Sequence, residues 1–442
     1  MSPTTWRNWA GNQSAAGLTV IEPRGTAEIV AAVELAAREG RRVKAAGTGH
    51  SFTAIAGPED IQVRLDGHDG LVKLDADTGL VTVQSGMPLH RLNALLARSG
   101  FAMTNLGDID RQTVAGATST GTHGTGARFG GLATQIRGLE LVPADGGVLG
   151  CSATENADVF RAARVGLGAL GVIATVTLQV ERAFALRAEE RSMQLDETLE
   201  RFDELADDHD HFEFWWFPHT TRTLVKLNTR LPLDAGLEPL SPLRSWWDDE
   251  LLSNRVWGGL VAAGRRVPAL IPPINRVSAR TLGTRVYTDR SDKVFVSPRR
   301  VRFVEMEYAV PRAAAVDLVR GVQGVFDRSG WRTPFPVEVR VAAGDDIPLS
   351  TASGRDTAYV AVHQPVGMAF EPHFRAVERV ALDLDGRPHW GKLHWLEADD
   401  LRKRYPEFDA FVAVRDRLDP EGRFANAYTE RVLGPAGTAG SA

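Results

Sequence analysis

A single cysteine, Cys151, stands in 442 residues. One thiol excludes an intramolecular disulfide, a cysteine-built zinc site and a cysteine-ligated iron–sulfur cluster. Long apolar runs are missing too. The longest, residues 165–178, carries two threonines and three glycines and is too short for a transmembrane helix. The first ten residues, MSPTTWRNWA, have no apolar segment of the kind a secretory signal needs. These absences predict a cytoplasmic protein without an integral membrane segment. There is no basic excess: 51 Lys and Arg face 56 Asp and Glu, for a net charge of −5. Charge therefore gives no ground for nucleic-acid binding. The 43 glycines and 23 prolines follow no period, which excludes a collagen-like or low-complexity chain. What is present is an ordinary core composition, 43% hydrophobic and 24% charged. The length suits two or three domains or one two-lobed unit.

Through about residue 180 short strands alternate with helices. Residues 26–39 place apolar side chains at helical spacing and stop at Gly40, and residues 41–46 run as a strand into Gly47-Thr48-Gly49. Residues 62–65, 71–75 and 80–84 read as strands and 89–98 as an amphipathic helix. Residues 136–142 and 172–180 are strand-like and rich in β-branched side chains. Beyond residue 181 the texture changes. Helices are predicted at 196–207, 311–328 and 372–384, and strands at 211–217, 222–228, 302–309, 337–342 and 359–364. That order describes a sheet with helices on one face. Residues 232–275, rich in Pro, Trp and Arg, resist assignment.

Three glycine-rich turns stand out. The first is AGTGHSF at 46–52, directly after a predicted strand. Consecutive amides with small side chains form a concave anion nest suited to a pyrophosphate. A Rossmann fingerprint would need glycine where Phe52 stands, and no P-loop sequence is present. The second turn, VAGATSTGTHGTG at 114–126, gathers four glycines, four threonines and a serine beside one histidine. The third is GLGALGVI at 166–173.

Taken together, GTGHSF, NLGDIDRQTVAGATSTGTHGTG and GLGALGVI resemble the FAD domain of the vanillyl-alcohol-oxidase-type flavoproteins. RPHWGKLH at 387–394 and LDPEGRFANAY at 418–428 resemble the aldonolactone oxidases and the related alditol oxidases. Within this group the chain is most similar to actinobacterial L-gulono-1,4-lactone oxidases or dehydrogenases. The resemblance implies an α+β, two-lobed flavoprotein. Residues 10–182 would form a PCMH-type FAD-binding domain, 183–385 a substrate domain, and 386–442 a segment returning to the cofactor. It implies FAD bonded covalently through His50. Gly47, Thr48, Gly49 and Ser51 would hold the pyrophosphate. Thr113, Gly116, Thr120, Gly121, Thr122 and His123 would line the diphosphate and ribityl path, with Ile173 beside the pyrimidine edge or the adenosine.

On the substrate side, PVEVRV at 336–341 puts Glu338 and Arg340 on one strand face. Opposite charges on a buried face are expensive unless used, and a surface ion pair is the alternative reading. Aldonolactone and alditol oxidases carry Glu-x-Arg here. Arg340 would then stabilise negative charge on the reduced ring, and Glu338 would accept hydrogen bonds from substrate hydroxyls. By the same resemblance His389 would contact the flavin and Lys392 would sit by substrate and flavin. His363 is a candidate proton acceptor or a structural histidine. Asp108 stands where the alditol oxidases have a substrate-touching serine, which favours a sugar lactone over a polyol. Gly107 occupies the position that gates oxygen, and the electron acceptor, O2 or another, stays open. No metal is expected: the run Asp208-His209-Asp210-His211 reads as a solvated loop. Trp246, Trp247 and Trp257 read as a core or partner patch.

Overall fold

The protein is described from a computed structural model that covers residues 5–241, 257–280, 283–297 and 301–437. Trp246 and Trp247 lie outside the described residues. Trp257 is half-buried and meets Phe335 edge to face.

Near the N-terminus, strands Thr19–Ile21, Ile61–Arg64 and Val43–Ala46 form a small parallel sheet in that order. Helix Thr26–Glu39 supplies its right-sized crossover and turns Ile29, Val33 and Ala36 inward against Val43, Ile61 and Val63. Gly40 ends the helix in the left-handed conformation that glycine reaches without strain. Beside it lies an antiparallel sheet of five strands, ordered Leu149–Ser152, Ile136–Val142, Val172–Gln179, Leu80–Gln84 and Leu71–Asp75. The second glycine-rich stretch is only partly a turn. Its first half is a six-residue helix, Val114–Ser119, capped by the Thr113 side chain, which accepts from the Gly116 amide. The small residues that suggest a loop also let this helix pack tightly.

The larger sheet has eight antiparallel strands. Their order is Arg285–Arg290, Phe184–Gln194, Arg222–Pro232, His211–Trp216, Val337–Ala342, Thr357–Pro365, Phe303–Pro311 and Arg387–Pro388. Each strand alternates in chemistry. Phe212, Phe214, Val339, Val360, Val362, Val304 and Met306 join one apolar cluster with Leu318, Val322, Phe374 and Val377 of helices Ala315–Ser329 and Glu371–Asp383. The intervening positions carry Glu213, Arg340, Glu338, His363, Glu305 and Glu307 to the opposite face. The helix expected at 196–207 is two, Leu195–Glu200 and Phe202–Asp208, broken at Arg201. The unassigned region contains helices Trp257–Arg266 and Ile271–Arg280. Among the described residues no helix is long and apolar enough to cross a membrane.

The C-terminal segment returns to the N-terminal sheet. The amide of Val43 donates to the Arg423 carbonyl at 2.8 Å and that of Phe52 to the Gly391 carbonyl at 2.7 Å. Asn426 donates its side-chain amide to the carbonyls of Ala54 and Gly57, both at 2.9 Å. Residues 387–428 are thereby tied to the first glycine-rich turn.

Candidate active site

A groove open to solvent runs beside the parallel sheet. Its walls include Gly47, Thr48, Gly49, His50 and Ser51, then Thr113, Gly116 and Thr120, then Gly166–Gly171 and Ile173. All three glycine-rich stretches thus meet on one cavity. The glycines are needed there. A Cβ at Gly47 would stand 2.8 Å from Thr113 Oγ1, and one at Gly171 would stand 2.6 Å from the Val142 carbonyl oxygen. Gly49 has φ +74°, a conformation side chains rarely adopt. Gly121, Thr122 and His123 do not line the groove. Thr122 instead donates to the Gln112 side chain at 3.4 Å.

His50 is half-buried and stacks on Trp9, with ring centroids 5.8 Å apart. Burial, with the charges of Lys392 and Arg111, lowers its pKa to about 4. Its ring is therefore neutral at pH 7. Neither ring nitrogen has a hydrogen-bond partner among the described residues.

Lys44 is a lining residue that sequence reasoning missed. Its ammonium donates to the carbonyls of Phe424 at 2.8 Å and Gly168 at 3.1 Å, and burial lowers its pKa to about 7. It joins the third glycine-rich turn to the returning C-terminal segment.

The polar face of the large sheet holds the second half of the site. Arg340 Nε donates to Glu213 at 2.8 Å, its Nη2 lies 2.6 Å from Glu338, and Asp108 is 3.8 Å away. Burial opposes the Arg340 charge. Glu338, Glu213 and Asp108 outweigh it and hold the guanidinium well above its ordinary range. Lys226 stands 3.7 Å from the other oxygen of Glu213. The charged pair expected on this strand is therefore a buried one, not a surface ion pair.

Farther along the same face, Lys392 Nζ lies 2.5 Å from Glu305, and His363 Nε2 lies 3.4 Å from that carboxylate. Despite burial, Lys392 and His363 bring the Glu305 pKa down to about 2. Glu305 and then Glu307 raise that of Lys392 against its own burial. His123 Nε2 lies 2.8 Å from Glu307, and its ring stacks on Tyr359 at 3.6 Å. His123, Glu307 and His389 place their donor atoms within 4.8 Å of one another. Glu307 is committed to His123, and His389 Nδ1 accepts from the Gly391 amide at 3.0 Å. Burial lowers the His389 pKa to about 4.

Gly107 touches this cluster through backbone: a Cβ there would stand 3.1 Å from the His123 carbonyl oxygen. The run at 208–211 is not the solvated loop expected. His211 is buried, begins a strand and stacks on Phe129, while Asp210 pairs with Arg128. Glu213, Lys226, Glu305 and Glu307 were missed by sequence reasoning. Their signal was the alternation in HFEFWW, TLVKLN and FVEMEYAV, the same pattern that puts Glu338 and Arg340 on one strand face.

A glycine-lined groove and a sheet face bearing buried cations and carboxylates suit a dinucleotide cofactor and a polar substrate. The FAD binding domain family matches residues 18–152, and the D-arabinono-1,4-lactone oxidase family matches residues 176–432. The chain is 44% identical to an L-gulono-1,4-lactone dehydrogenase of Mycobacterium tuberculosis, covering 98% of this chain and 100% of the relative. It is 33% identical to the L-gulonolactone oxidase of Bos taurus, over 97% and 98%. It is 31% identical to a Streptomyces alditol oxidase, over 97% and 99%. The fold is shared with a cholesterol oxidase of Brevibacterium sterolicum, at TM-score 0.82 and 16% identity over 98% and 97% of the two chains. The chain belongs to the D-arabinono-1,4-lactone oxidase family and is an FAD-dependent oxidoreductase.

Proposed function

We propose that this chain oxidises a secondary hydroxyl of a sugar lactone of the L-gulono-1,4-lactone type. The product is a 2-keto lactone that tautomerises to an ene-diol of the ascorbate type. The observation that carries this reading is the buried array of Arg340 with Glu338 and Glu213 beside Lys392 with Glu305, on one sheet face. Its support is the full-length similarity to lactone-oxidising relatives. When bound, FAD supplies a two-electron hydride acceptor.

The groove residues Gly47, Thr48, Gly49, Ser51, Thr113, Gly116, Thr120 and Ile173 would hold the dinucleotide, chiefly through backbone amides. Gly121, Thr122 and His123 would support that path from behind. His50 would carry the covalent bond through a ring nitrogen left neutral and without a hydrogen bond. Gly107, Asp108 and His389 would flank the ring. Arg340 and Lys392 would offset the negative charge that the flavin gains on reduction, without reorganisation at the moment of reaction. Glu338, oriented by Arg340, accepts hydrogen bonds from substrate hydroxyls and fixes the reacting carbon. O2 or another electron acceptor would reoxidise the reduced ring.

The test is anaerobic mixing of the flavoprotein with L-gulono-1,4-lactone and, separately, xylitol. Bleaching by the lactone alone is the expected result. Bleaching by xylitol alone would overturn it in favour of the alditol reading that the Streptomyces relative supports. Admitting air then shows whether O2 is the acceptor.

A further inference from the structure

On strand Phe303–Pro311, Glu305 stands directly opposite His363 of strand Thr357–Pro365. Facing positions of antiparallel strands bring side chains within reach of one another. The two oxygens of the buried Glu305 carboxylate are divided between two partners. Oε2 lies 2.5 Å from Lys392 Nζ, and Oε1 lies 3.4 Å from His363 Nε2. The other nitrogen of His363, Nδ1, lies 3.1 Å from the Pro336 carbonyl oxygen. A carbonyl oxygen only accepts. Both ring nitrogens therefore point at acceptors of the protein itself. Phe303 and Phe335 flank the ring, with centroids 5.1 and 6.0 Å away. Glu307 and Glu338, the other carboxylates acting on Lys392, are engaged by His123 and Arg340.

We infer that Glu305 is a positioning residue: one buried carboxylate shared between Lys392 and His363, whose Nδ1 is held by the Pro336 carbonyl and whose Nε2 faces Glu305, so that His363 is not the base for the substrate hydroxyl. The geometry of this unit is independent of the substrate. Only its kinetic consequence rests on the lactone-oxidising reading.

The test uses the holoenzyme with Glu305→Gln, His363→Gln and Lys392→Met, alone and combined. Two readouts are taken: the flavin midpoint potential by spectroelectrochemical titration, and the rate of anaerobic reduction by L-gulono-1,4-lactone across pH. Glu305→Gln removes a negative charge beside Lys392 at nearly constant shape, so the midpoint potential is expected to rise. His363→Gln retains a donor. Its reduction rate is expected to fall less than about tenfold, short of the roughly 10²–10⁴-fold that loss of a general base carries, with the pH profile unmoved. The effects of His363→Gln and Lys392→Met should be non-additive in the native background and additive once Glu305 is Gln. An unchanged potential in Glu305→Gln, or loss of a pH limb in His363→Gln, overturns the inference. If the lactone reduces no variant and not the native enzyme, the substrate reading fails, and the potentials still decide on the unit.

Discussion

His123 and Glu307 are hydrogen-bonded out of reach of solvent: Nε2 and Oε1 are 2.8 Å apart, and the side chains are 4% and 5% exposed. The other ring nitrogen of His123 faces the Gly124 carbonyl at 2.8 Å, so neither ring position is left for water. Removing one member of such a pair strands its partner. Glu307→Ala is expected to lower unfolding free energy by about 3–5 kcal/mol. Glu307→Gln, which still accepts a hydrogen bond, should cost clearly less. Urea titration of both variants checks this. Against its burial, His123 holds the Glu307 carboxyl well below its ordinary range. Its stabilising contribution is therefore present above the unfolded value, near pH 4.3, and is lost as pH falls below it.

Arg340 is a fixed cation of the sheet face, where it shares Glu213 with Lys226. Arg340→Ala should slow flavin reduction on the order of 10²-fold, as expected for loss of an electrostatic stabiliser. Flavin content should stay near native, because Arg340 does not line the dinucleotide groove. Stopped-flow reduction and the absorbance ratio of the purified protein measure the two separately. An unchanged rate would remove Arg340 from the reaction.

Glu338 lies 2.6 Å from Arg340. Glu338→Gln keeps shape and one acceptor but loses charge, and charge-assisted hydrogen bonds are roughly twice as strong as neutral ones. The variant should raise KM and slow reduction with little change in Tm. Native reduction kinetics at every lactone concentration would mark this carboxylate as purely structural.

His50 gives a test by colour. Acid precipitation of the native protein should leave a yellow pellet, and His50→Ala should release the flavin to the supernatant. The lowered pKa of His50, about 4, also gives the apoprotein a pH signature. Between pH 6.5 and 4 the unfolded chain binds the proton and the folded one does not. Stability therefore falls as pH drops through that window, and His50→Ala should flatten this part of the profile.

Gly47→Ala should weaken FAD capture. Its Cβ would press on Thr113 Oγ1, the hydroxyl that caps helix Val114–Ser119. Displacing that cap is worth about 1 kcal/mol, so flavin affinity should fall several-fold or more while the sheet remains intact. Fluorescence titration of the apoprotein with FAD reads this directly.

Much of this was legible in the sequence, for a physical reason. Gly47, Gly49 and Gly171 sit where a side chain cannot fit without strain or collision, and in RPHWGKLH a Cβ at Gly391 would stand 3.1 Å from Ser51 Oγ. Such constraints select glycine itself and so leave a signature at the position, whichever distant segment it approaches. Glu305 and Glu307 carry no such signature. A carboxylate at alternate strand positions reads equally as a solvated face, and only the register against His363 and the return of Lys392 from 87 residues downstream show them to be buried and paired. Glu213 is hidden the same way, since its partners Lys226 and Arg340 come from two other strands. His211 was misread for the converse reason: the acidic neighbours that suggest solvent point away from the core it enters.

The ties from Val43 to Arg423 and from Phe52 to Gly391 also bear on biosynthesis. The turn that would grip the dinucleotide is synthesised well before its supports, since Gly391 follows Phe52 by 339 residues. N-terminal units generally fold first during synthesis. Here an early sheet must wait, with its anion nest unbraced, for residues 391–424 to arrive. A nascent chain halted before this segment is expected to leave that nest unbraced and to capture FAD poorly.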